Sequence, residues 1–266
     1  MGAQAPSASH EIDASLELGT PIRTPEDHLQ EAVQSYRSGR FDAALQLYTR
    51  ALQGNRALVP AWVGQVQMLV ELGECTEARL WADKALELFK GNGDLLAAKA
   101  RACLRDDDAT AAMACSDASL KAAGNSPLRW QARGEVMLAR NSERARDCFD
   151  KSVAEPVADW FDRIVVARIY LFHDRATPAV EFAQAGVRLE PSHWFGWLVL
   201  GRAQEALGWF RDAEESYSRA ADLPGGRAEA GAALHAIRNA GRAARIGGGL
   251  RGVLVPIKHM MRIFRR

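Results

Sequence analysis

Cysteine and histidine are sparse in this sequence, and neither is spaced for chemistry. The four cysteines, Cys75, Cys103, Cys115 and Cys148, form no CxxC pair. The nearest two, Cys103 and Cys115, stand twelve residues apart. A disulfide scaffold or a structural zinc site needs denser, paired spacing. The cysteines therefore read as reduced structural thiols, and no metal or other cofactor is expected. The six histidines are scattered and no HExxH occurs. No serine stands in a recognisable nucleophile motif, so no catalytic residue is assigned and the chain is not expected to be an enzyme. Gly247, Gly249 and Gly252 formally spell GxGxxG. No strand precedes them, which excludes a dinucleotide cradle. No apolar run approaches the roughly 18–20 residues needed to span a bilayer. Residues 1–20 lack a basic n-region and an apolar h-region, so no secretory signal is expected. Pro6 occupies the place where a myristoylation motif wants Ser or Thr. The expected location is the cytoplasm, with a peripheral position at the inner face of a membrane as the alternative.

What is present is apolar and evenly charged. Of 266 residues, 48% are hydrophobic and 25% charged, enough for a sizeable core. The net charge of +1 hides an asymmetry. Residues 241–266 carry seven basic residues and no acid, leaving a mildly acidic body ahead of a basic tail. An acidic body without a stacking platform argues against nucleic acid as a partner.

The strongest signal is repetition. Ala44, Ala78, Ala112, Ala145, Ala179 and Ala213 recur every 33 or 34 residues. A parallel column reads Ala32, Val66, Ala100, Gly134, Ala167 and Gly201, and a third reads Ala51, Ala85, Ser119, Ser152, Gly186 and Ala220. Columns of small residues at one period are what closely crossing helices require, because axes about 8–10 Å apart leave no room for larger side chains. Gly39, Gly73 and Gly208 recur where a left-handed residue would end the first helix of a pair. Asp107, Asn141 and Asp174 take that place in other copies; Asn and Asp are the next most tolerant of this conformation.

In its clearest copy, 194–227, the chain shows Trp197, Leu200, Gly201, Gly208, Phe210, Ala213, Tyr217, Ala220 and Pro224. Phe210 and Tyr217 are expected to form the apolar stripe of its second helix. With Gly39, Phe41, Ala44, Tyr48 and Ala51 in the first copy, this pattern resembles the tetratricopeptide repeat family. The resemblance implies an all-α fold, a right-handed α-solenoid of stacked antiparallel helix pairs. Six units are read at 25–58, 59–92, 93–126, 127–159, 160–193 and 194–227. A disordered segment is expected at 1–24, a capping helix at 228–246, and a flexible Gly linker with a basic amphipathic tail at 247–266.

In this family the first helix of each pair lines a concave groove. Carried over, the resemblance places Tyr36, Arg101, Leu104, Arg168, Leu171 and Arg202 on the groove wall. Two readings stand for the arginines. They could grip carboxylates of an acidic-hydrophobic partner segment, or be solvated or paired with Glu135 and Glu205. The family's clamp for a chaperone's terminal carboxylate is not matched, since Leu29, Val33, Gly64, Asp94 and Ala98 occupy its positions. In the tail, Ile257, Met261 and Phe264 share a helical face, with Lys258, Arg262 and Arg265 projecting elsewhere. Such a segment suits an anionic membrane surface, a partner's groove, or the acidic solenoid itself. The expected function is a non-catalytic adaptor or scaffold. The alternative is an accessory subunit of a membrane-associated secretion or polysaccharide export machine, anchored by the tail. Oligomeric state is not legible.

Overall fold

The computed structural model describes residues 23–246, with side chains through Asn239. The N-terminal segment before residue 23 and the whole of 247–266, including the tail residues Ile257, Lys258, Met261, Arg262, Phe264 and Arg265, lie outside the described residues. Among the described residues there are thirteen helices and no strand. Six helix pairs come first: α1 (Pro25–Arg37) with α2 (Phe41–Gly54), α3 (Val59–Leu72) with α4 (Cys75–Leu88), and α5 (Gly93–Arg105) with α6 (Ala109–Lys121). They continue with α7 (Pro127–Ala139) and α8 (Arg144–Ala154), α9 (Trp160–Phe172) and α10 (Ala176–Leu189), and α11 (Trp194–Ala206) and α12 (Phe210–Asp222). The last helix is α13 (Arg227–Ile246). None is long and apolar enough to cross a membrane.

Local sequence sets the helix ends. Thr24 caps α1 in a reciprocal capping box with Asp27, and Pro25 occupies the first turn, where its missing N–H leaves no bond unmade. Asp159 and Asp162 build the same box at α9. Asn92 and Asp108 accept from the first free amides of α5 and α6. Between paired helices the chain reverses through one left-handed residue. Asp107, Asn141 and Asp174 take φ of 62°, 53° and 56° there, doing with short polar side chains what glycine does in the other units.

The odd-numbered helices touch one another in succession as well as their own partners, which places them on the inner side of the stack. The small-residue columns are the contact points. Ala32, Ala44, Ala51, Ala78, Ala85, Ala112, Ala179, Ala213 and Ala220 are fully buried. At Gly201 an added Cβ would lie 2.5 Å from the Tyr217 ring, and at Gly134 2.5 Å from Phe149, so the aromatic of the second helix sits directly on the first. Trp160 and Trp194 are buried, while Trp130 and Trp197 are half-buried over neighbouring helices. α13 packs on α12, with Arg238 bonded to Glu214 at 2.7 Å and Ile237 turned inward.

One expected packing residue behaves differently. Tyr217 is fully buried, but Phe210 is 57% exposed beside an exposed Trp209. The equivalent Phe41 of the first unit is covered by Tyr36 and Phe195, the second of which comes from across the solenoid. Phe210 begins the last repeat helix and receives no such lid among the described residues.

The Gly201–Tyr217 contact gives a direct test of the helix register. Gly201→Leu should overpack it and cost about 1–3 kcal/mol in urea unfolding. A substitution without effect would place the crossing elsewhere.

Candidate functional site

The inner helices carry one column of long side chains per unit toward the solenoid's centre, and there the charges meet each other. Glu71 at the end of α3 and Glu135 in α7 are both buried, the latter completely. Arg101 of α5, 1% exposed, lies between them. Its Nε donates to Glu135 at 2.6 Å and its Nη2 to Glu71 at 3.2 Å. Arg105, one turn further on, donates from Nε to the other Glu135 oxygen at 2.8 Å. Arg168 of α9 donates to the second Glu71 oxygen at 2.7 Å, across 97 residues of chain. His173 Nε2 stands 3.6 Å from Glu135. The third unit is thereby tied to the second and fourth, and the fifth to the second.

The electrostatics follow from burial against charge. Burial alone would raise the carboxyl of Glu71. The guanidinium groups of Arg168, Arg101 and Arg105 more than offset it and hold the group down at about 2. Glu135 is likewise held well below the carboxylate range by Arg105 and Arg101, against its burial. The two glutamates draw the Arg101 guanidinium further into its charged form. Burial and the Glu71 charge push the Tyr36 phenol up to about 12, so it is neutral. The Tyr36 hydroxyl and the Nη1 atoms of Arg101 and Arg168 are buried without a protein partner.

Aromatic rings close the same centre from the other side. Tyr36 of α1 meets Phe161 of α9 edge-on at 4.8 Å, and Phe41 of α2 meets Phe195 of α11 at 6.2 Å. The Arg168 guanidinium lies 4.4 Å over the Phe41 ring. Arg37 bonds Asp159 at 2.7 Å and lies 5.1 Å from the Trp160 ring. Gly39 makes this approach possible: its φ is +69°, and an added Cβ would stand 2.3 Å from Phe195. The first unit thus docks on the fifth and sixth through side chains, and the inner face is closed upon itself here.

Of the residues placed on the groove wall by sequence, Tyr36, Arg101 and Arg168 belong to this internal assembly. Arg101 takes up the pairing with Glu135, while Glu205 accepts from the Tyr217 hydroxyl at 2.6 Å. Leu104 and Leu171 are half-buried at the C-terminal ends of α5 and α9. Between those ends the Arg105 guanidinium lies 4.0 Å from the ring of Phe172, which is 42% exposed. Arg202 is half-buried on α11 near Arg168 and Glu205, and burial lowers its pKa. The sequence reading missed Glu71, Arg105, Phe172, Phe161 and Phe195. Arg37, Glu71, Arg105 and Phe172 form a column of their own, one place beyond that of Tyr36, Leu104 and Leu171. Its alternating charge was the available signal.

Two measurements check the assembly. Glu135→Gln, which leaves Arg101 and Arg105 facing an uncharged amide, should lower stability by about 3–5 kcal/mol at neutral pH. The Glu71 carboxyl is lower in the folded chain than its ordinary value near 4.3. Its stabilising contribution is therefore complete above that ordinary value and is lost as pH falls toward about 2. Denaturant unfolding across the acid range below that ordinary value should show this decline in the wild type and a shallower one in Glu71→Gln.

No protein-family model matches the chain, and no curated protein does. Solved structures match it in fold. A thermophilic TPR protein from Thermus thermophilus is 18% identical, with a TM-score of 0.53, covering 69% of this chain and 99% of that one. A tetratricopeptide repeat protein from Parabacteroides merdae is 17% identical, with a TM-score of 0.51, covering 84% of this chain and 87% of that one. The human IFIT1 dimer, solved with PPP-AAAA, is 14% identical, with a TM-score of 0.57, covering 84% of this chain and 56% of that one. With its six helix pairs, its inner row of odd helices and its left-handed reversals, this chain has the fold of the tetratricopeptide-repeat solenoids.

Proposed function

We propose that the chain is a non-catalytic adaptor that holds a partner protein at the mouth of its concave face. The observation that carries this reading is Phe172, 42% exposed at the end of α9 with the Arg105 guanidinium of α5 4.0 Å from its ring, together with the half-buried Leu104 and Leu171 at the ends of the same two helices. An exposed aromatic next to half-buried leucines is surface that loses little by being covered again. Arg105 and Arg168 are held by Glu135 and Glu71, so in this reading Arg202, half-buried on α11, meets the acidic part of an acidic-hydrophobic partner segment. Arg101 and Tyr36 contribute differently: they build the wall and do not reach the surface. The deeper part of the groove is occupied by the chain's own Tyr36, Phe41, Phe161 and Phe195, which confines the partner to the mouth.

The test compares two faces of one molecule. A partner recovered by affinity capture is purified and its affinity measured directly. Phe172→Asp combined with Arg202→Glu should weaken it at least about tenfold, a change of about 1.4 kcal/mol. Leu189→Asp, at a comparably exposed site on an outer helix, should leave it unchanged. Equal loss from both, or from neither, would remove the mouth as the binding surface.

A further inference from the structure

The first two units enclose a cleft lined by acids. α2 and α4 both pack on α3 but scarcely on each other, and a space of about 460 Å³ opens between them. Helical spacing puts Asp42 and Leu45 on its α2 wall, and Glu77 and Trp81, with Glu74 just ahead of them, on its α4 wall. α3 contributes Leu69 and Gln65. Gln65 is 5% exposed, and its side-chain carbonyl oxygen is buried without a protein partner. Asp42 and Glu74 make no side-chain hydrogen bond or ion pair among the described residues, and Glu77 accepts only from Trp81 Nε1, at 3.0 Å. No arginine, lysine or histidine lines the cleft among the described residues. Lys84 stands 4.4 Å from the Trp81 ring but is not part of the lining.

The next junction of the stack shows what such acids take. Thirty-four residues on, Asp108 stands where Glu74 does, Arg79 where Leu45 does and Lys99 where Gln65 does. Arg79 donates to Asp106 at 2.8 Å and to Asp108 at 3.2 Å. Lys99 pairs with Asp83 at 2.5 Å. One unit further, Arg133 and Asp117 repeat that second pair. Those junctions thus carry their own guanidinium or ammonium group. In the first junction both cationic places are uncharged, and the carboxylates remain.

We propose that this cleft receives arginine or lysine side chains from the chain's own basic tail, residues 247–266. That segment, outside the described residues, carries Arg251, Lys258, Arg262, Arg265 and Arg266 and no acid. A guanidinium fits carboxylates bidentately and stacks on an indole, and the cleft offers both partners. Ile257 and Phe264 stand among the basic residues, as Leu45 and Leu69 stand among the acids. The tail is also long enough. It follows α13, which packs on α12, and α12 packs on α11. Phe195 of α11 meets Phe41 of α2, the residue before Asp42. Those steps are a few helix spacings of about 8–10 Å, plus at most the ~30 Å length of α13. Twenty extended residues cover about 66–72 Å.

The experiment uses the full chain at low salt. A carbodiimide activates the carboxylates, and peptide mapping identifies which of them Lys258 has joined. The expected result is an amide from Lys258 to Asp42, Glu74 or Glu77, formed within one chain when nitrogen-15-labelled and unlabelled chains are mixed. Trypsin then reads occupancy, since cleavage follows the population of undocked tail. Asp42→Asn, Glu74→Gln and Glu77→Gln together should speed cleavage after Lys258 and Arg262 at least about fivefold. About 0.5 M salt should bring the wild type to the same rate. Removing three exposed acids elsewhere, by Glu87→Gln, Glu143→Gln and Asp147→Asn, should leave the rate unchanged. Circular dichroism checks that both triple variants keep their helix content. Lys258 joined only to carboxylates outside the cleft, or equal cleavage of the two triple variants, would overturn the proposal. Cross-links found only between labelled and unlabelled chains would overturn the assignment to the chain's own tail and give the cleft to a second copy.

Discussion

Two carboxylates buried at the centre of the solenoid govern the rest of this structure. Glu71 and Glu135 cannot be charged there without cations, and each oxygen pair is met by guanidinium groups from other units. Set against an apolar core of equal volume, such a cluster adds little net stability, because desolvating the ions cancels most of their attraction. Its effect is on geometry. A repeat stack held only by neighbour contacts has nothing to fix one end relative to the other. The Arg168–Glu71 bond joins the fifth unit to the second, and the rings around it join the first unit to the fifth and sixth.

That closure changes what a tetratricopeptide groove can do. An open concave face offers its long side chains to a ligand. Here Tyr36, Arg101 and Arg168 are taken up by the chain's own contacts, while Leu104, Leu171 and Phe172 stay partly exposed at the ends of α5 and α9. The charged centre and the candidate binding surface are linked: Arg105, which bonds Glu135, also lies over the Phe172 ring at the end of α9.

The helices and their order could be read from the chain. A period of 33 or 34 residues, three columns of small side chains, and Gly, Asp or Asn at each reversal all report local packing and local backbone demands, which depend on neighbours close in sequence. The exposure of Phe210 could not be read that way. Its motif position is identical to that of Phe41, and only a contact from across the solenoid separates their fates.

The arginines mark the boundary most clearly. Their column was visible in the sequence, as was Glu135 among them, because repeats bring equivalent positions into line. Whether those charges face a partner or each other depends on the curvature of the stack. Curvature is the sum of small rotations at every helix crossing, set by side chains that a motif leaves free. The sequence by itself determined the all-α solenoid and its succession of helix pairs. Only the tertiary structure decided that the inner row closes on itself, since that requires residues 97 and 122 apart in sequence to meet.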